Sequence, residues 1–148
     1  MKLHHFLLVI HLIAATVWVG GHLILSFGLL PKALKQKEPD IIIDFEKKYE
    51  PVGIPALVLL IITGIWMAYD FGVPIQQWFS FSGSIETVIS TKLLLLFLTF
   101  GFALHARFVV LPKLNKDHLK HMAFHIVAVT VIGVAMLILG SAVRYGGI

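Results

Sequence analysis

The sequence predicts an all-α integral membrane protein, a four-helix bundle with both termini outside the cytoplasm. Three observations carry this expectation. Of 148 residues, 58% are hydrophobic and 14% charged, and the mean hydropathy is +0.91, more apolar surface than a soluble domain of this size can cover. The apolar residues gather in four segments, roughly 6–30, 52–69, 88–111 and 122–143, each close to the roughly 20 residues that span a bilayer as a helix. Lysine and arginine divide nine to three between the two sides that these segments separate.

The first segment ends at Pro31 in the polar stretch KALKQKEPD. The second opens with Pro51 and Pro55 and closes at Tyr69 and Asp70. Between them, IIIDFEKKYE after Pro39 and Asp40 reads as a short amphipathic helix lying on the membrane. The third segment follows SGSIET, where Ser84 is placed to cap the helix and Glu86 to oppose its N-terminal dipole. It ends near Pro112. The fourth follows the basic loop PKLNKDHLK and stops before Tyr145, Gly146 and Gly147. Lipid offers the backbone no hydrogen-bond partners, and segments of this length suit helices, not barrel strands.

Lys32, Lys35, Lys37, Lys47 and Lys48 follow the first helix, and Arg107, Lys113, Lys116 and Lys120 surround the exit of the third. Only Lys2, Lys92 and Arg144 fall on the other side. The positive-inside rule then places the first and third loops in the cytoplasm of a bacterial-type inner membrane, N-out and C-out. Trp78, Phe79 and Phe81 in the outer loop suit an interfacial aromatic belt. The chain reads as one four-helix transmembrane domain over residues 1–148, with no room for a separate soluble domain. The N-terminus lacks a small-residue cleavage pattern and reads as a span instead of a signal peptide.

Composition narrows the chemistry. The absence of cysteine excludes disulfides, iron–sulfur clusters and thiolate metal sites. The net charge of +4 is spread over the loops and reads as orientation signal, not nucleic-acid binding. There is no Ser/His/Asp set, no paired carboxylates at catalytic spacing and no glycine-rich phosphate loop.

Eight histidines remain. His4, His11 and His22 are separated by 7 and 11 residues, which aligns them within roughly 20° on one helical face. Imidazole is costly in lipid, usually marks a pathway or site there, and ligates haem iron and copper. His22 lies roughly 13 Å before Pro31 and His105 roughly 10 Å before Pro112 at the helical rise, and His125 lies near the same side at the start of the fourth helix. Two facing imidazoles at one depth are the requirement for six-coordinate haem b, so His22 with His105 or His125 is the expected pair. Gly20, Gly21 and Gly101 allow close approach. His118 reads as solvated. His121 reads as solvated or, like Arg107, as a grip on a haem propionate. Toward the outer face, His4, His11, Met67 and Met136 form an alternative set of imidazoles and thioethers suited to copper. Each of these groups could instead hydrogen-bond or pack against a neighbouring helix, and Lys92 and Arg144 could snorkel.

His11-LIAATV-Trp18-Val-Gly20-Gly21, running on to LLPKAL, resembles the first helix of the CopD copper-resistance superfamily and that of the HemJ-type protoporphyrinogen oxidases. The third helix, from Lys92 to His105, resembles the lysine-to-histidine helix of both. The resemblance implies a haem b role for His11, and so either a tilted first helix or two haems, His11 and His22 being about 16 Å apart along the axis. The HemJ-type Arg-Phe-Asn-Glu-x-Pro-like stretch is replaced by LNKDHLKHMAFH, which departs from the porphyrinogen-oxidising pattern. The reading is a membrane haem b protein, one haem or two, moving electrons between a membrane donor or quinone and an acceptor, and so a candidate haem-dependent oxidoreductase. The alternatives are CopD-type copper transport or homeostasis and HemJ-like porphyrinogen oxidation. Expected partners are membrane lipid, a quinone or porphyrin, a redox partner protein and a second copy of the chain.

Overall fold

The computed structural model describes residues 2–148, with side chains from Leu3 onward; the side chain of Lys2, counted above on the sparsely charged side, lies outside the described residues. The fold is all-α. Four helices are long and apolar enough to cross a membrane: α1 (Leu3–Gln36), α2 (Asp40–Asp70), α3 (Ser84–Lys113) and α4 (Lys116–Tyr145).

Every helix outruns the apolar segment that announces it. The stretch after Asp40 is not a separate surface helix but the first turns of α2, which continues through Pro51 and Pro55. Its lysines and acids precede the apolar part of the helix, so polarity there marks the edge of the apolar span and not of the helix. Pro31 and Pro112 likewise fail to stop their helices. Each is preceded by a wide turn, Leu25–Leu29 in α1 and Ala106–Val110 in α3, closed by Leu30 N–H to the Leu25 carbonyl and by Leu111 N–H to the Ala106 carbonyl. Proline removes a donor from the regular ladder, and a π-type turn absorbs the disruption. The chain leaves α1 only at Lys37, whose left-handed conformation (φ 54°) turns the backbone toward α2. Ser84 is the first residue of α3 and not its cap. The capping position is Gly83, and the Glu86 carboxylate folds back over it.

The helices form two antiparallel pairs, α1 with α2 and α3 with α4, joined chiefly through α1 against α4. Small residues are buried on both helices of the α1–α2 pair, Ala14, Ala15 and Gly21 on α1 and Gly53, Ala56 and Ala68 on α2. Lipid tails are as apolar as leucine, so close backbone approach and interhelical hydrogen bonds, not apolar burial, hold such a seam. At the α1–α4 crossing, the Ser26 and Thr130 hydroxyls are 2.6 Å apart, and Thr130 Oγ1 lies 3.2 Å from the His22 carbonyl. Large apolar side chains face outward, Phe27 at 78% and Phe108 at 68% exposure, as the surface of a membrane-spanning bundle requires. At the lysine-rich end Leu25, Ile42, Val110 and Met122 share one buried cluster.

Candidate metal centre

The lysine-rich end also gathers the imidazoles. His121 and His125 are one turn apart on α4, so both project from one face. His105 meets them from the last α-helical turn of α3. The donor atoms of all three lie within 4.8 Å of one another. The His105 and His125 rings stack nearly parallel, at 11° and 4.9 Å between centroids, and His105 Nδ1 lies 2.8 Å from His125 Nε2. His125 is buried, whereas His105 and His121 lie on the outer face of the α3–α4 pair.

The hydrogen bonds fix the chemistry of the central ring. His125 Nδ1 lies 3.0 Å from the His121 carbonyl. A carbonyl only accepts, so Nδ1 carries the proton and Nε2 presents a lone pair to His105. Metal-binding histidines are oriented in this way, the second nitrogen donating to a backbone carbonyl or carboxylate. In a tetrahedral set, two nitrogens each about 2.0 Å from an ion stand about 3.3 Å apart. The His105–His125 pair therefore needs to open by only about 0.5 Å to admit an ion where one proton now sits.

Behind His125 lies a cavity of about 110 Å³ reached by all four helices, with Trp18 and His22 from α1, Glu46, Tyr49 and Glu50 from α2, Arg107 from α3 and His125 from α4 among its walls. His22 Nδ1 lies 2.8 Å from the Trp18 carbonyl, so it too donates through Nδ1 and keeps Nε2 as a lone pair. Tyr49 crosses from α2 to donate to the Val17 and Trp18 carbonyls at 3.1 and 3.0 Å. Its ring fills the space that a Cβ on Gly21 or Gly53 would occupy. Arg107 donates to the Glu50 carboxylate.

The positions singled out in the sequence thus separate into groups. His105 and His125 touch. His22 shares a cavity with His125 but lies outside the cluster of three. Arg107 engages Glu50. Toward the other end, His11 Nδ1 lies 2.7 Å from Thr63 Oγ1, whose proton goes to the Leu59 carbonyl. His4 Nδ1 lies 3.0 Å from Asp70 Oδ2. Met67 is buried on α2, one turn beyond Thr63, and Met136 is half-buried on α4. His118 is exposed and bonds Asn115 at 2.7 Å. His121, read above as solvated or as a propionate grip, is the third member of the cluster. Its spacing of four from His125 was the available signal.

Residues 43–143 match the CopD family, copper resistance protein D. The chain belongs to the CopD family. The matched region runs from the first turn of α2 nearly to the end of α4 and contains the whole histidine cluster. It stops short of α1, so His22 and the His11-to-Gly21 motif of this CopD family member fall outside it. Comparison with curated proteins and with solved structures gave no match.

Proposed function

We propose that the protein handles copper in the membrane, holding the ion as cargo between His105 Nδ1, His125 Nε2 and His121. The observation that carries this reading is the gathering of three imidazoles with donor atoms within 4.8 Å of one another, the central ring's free nitrogen fixed by its bond to a backbone carbonyl. Family membership supports copper as the ion. An all-imidazole set accepts several divalent ions, and copper binds such ligands most tightly of the first-row series. The lysine-rich end, where the cluster lies, is the cytoplasmic end under the positive-inside rule.

A second reading, haem b with electron transfer to or from a quinone or a redox partner, is favoured by one observation. His22 and His125 line the same cavity from α1 and α4. Against it, His125 Nε2 is already engaged by His105 at 2.8 Å, and the cavity has to widen severalfold to admit a porphyrin.

The test loads the purified full chain with Cu(II) and removes loosely held ion. The expected result is a copper EPR signal coupled to three nitrogens, lost in His105→Ala and in His125→Ala, with no Soret absorption in the purified protein. A Soret band that disappears in His22→Ala would sink the copper reading and support haem, and with it HemJ-like chemistry.

A further inference from the structure

The cavity behind His125 has donors that the cluster of three does not use. His22 presents Nε2, to which no hydrogen bond reaches among the described residues. Glu46 is half-buried in the cavity wall, and no hydrogen bond or ion pair among the described residues engages its carboxylate. Its neighbour one turn on, Glu50, is already bound by Arg107. A carboxylate drawn into a membrane protein without a partner is expensive, and such groups mark ion or proton paths. His125 forms part of the cavity wall and is also the buried member of the cluster. One imidazole therefore separates two sets of donors.

We propose that the cavity is a second copper position, formed by His22 Nε2 and the Glu46 carboxylate. This rests on the copper reading above and extends it. The ion at the cluster meets imidazoles only, whereas the cavity offers mixed nitrogen and oxygen donors, a set that suits Cu(II). His125 is the ring past which an ion moves between the two. The arrangement gives the chain a site on the outer face of α3 and α4 and another inside the bundle, one side chain apart. The Arg107–Glu50 pair closes off the second carboxylate and leaves Glu46 as the oxygen donor.

The test is a Cu(II) titration of the full chain in lipid nanodiscs, read by bound-metal stoichiometry and by EPR. The wild type is expected to bind two equivalents. The double variant His105→Ala/His121→Ala should retain one, with coupling to one or two nitrogens in place of three. Adding His22→Ala or Glu46→Gln to that double variant should remove the remaining equivalent or weaken it at least tenfold. Glu46→Gln preserves the size and shape of the side chain, so it guards against loss by misfolding. If the wild type binds one equivalent, abolished in the double variant, and neither His22→Ala nor Glu46→Gln alters binding, the cavity site is overturned and the cluster stands. No copper at either position overturns both readings.

Discussion

Histidines occur in both halves of the molecule, yet the halves use them differently. Toward the sparsely charged end, His4 and His11 each find one partner on α2, Asp70 and Thr63, and each bond ties one helix to its neighbour. At the lysine-rich end, His105, His121 and His125 converge from two helices, and His22 faces the cavity behind them. What distinguishes the ends is not the number of imidazoles. It is whether their second nitrogens point at a common place. Thr130 is fully engaged at the α1–α4 crossing, whereas the Ser90 and Thr99 hydroxyls on α3 are buried without partners among the described residues.

Four substitutions bear on this contrast. The largest effect is expected at Gly21→Ala, whose Cβ would overlap the Tyr49 ring. Overpacking of this kind costs about 1–3 kcal/mol. Gly20→Ala, which meets nothing within 4 Å, should be neutral or mildly stabilising, because alanine is the better helix former. Detergent-titrated unfolding reads both, and equal stabilities would show that the Tyr49 ring is not tightly fitted against Gly21. A smaller effect is expected for His11→Ala. Loss of its bond to Thr63 should cost on the order of 0.6 kcal/mol and leave copper EPR at the cluster intact. Loss of that signal would break the distinction between a tying histidine and a ligating one. The smallest effect belongs to Ser90→Ala. Removing a buried hydroxyl without a partner should change stability by about zero or raise it slightly. A loss above roughly 1 kcal/mol in the same assay would mean that Ser90 has a partner in the membrane.

Much of the fold is legible in the sequence, because hydropathy reports directly on which residues face lipid. The four spans appear where the apolar segments predict them. Their ends do not, because the residues that flag a boundary report on water and not on backbone. Asp40 to Glu50 is polar and still helical, and Pro31 and Pro112 sit inside continuous helices. The site is legible only in part. Counting residues back from Pro112 and forward from the loop brings His105 and His125 to one level, and they touch. The same counting leaves His121 in solvent, since it starts α4 too late. With the helix beginning at Lys116, His121 is in its second turn and level with His105. His22 is at the expected depth but one side chain away, a matter of helix rotation that hydropathy does not encode. Tyr49 and Glu46 were hidden for the same reason as the first turns of α2: their segment looked like surface.

The two wide turns before Pro31 and Pro112 carry a consequence for how the chain can vary. A π-type turn is an α-helix with one residue inserted. Deleting one residue there restores the ordinary ladder, and because the wide turn sweeps about the same angle with one residue more, the helix on both sides of it keeps its face toward the bundle. In a regular stretch of α1 or α3 the same deletion would rotate everything beyond it by about 100°. The chain therefore has two places, one in each helix pair and both next to the lysine-bearing tips, where its length can change by one without disturbing the span above. Both lie beyond His22 and His105, so such changes spare the ligands on α1 and α3.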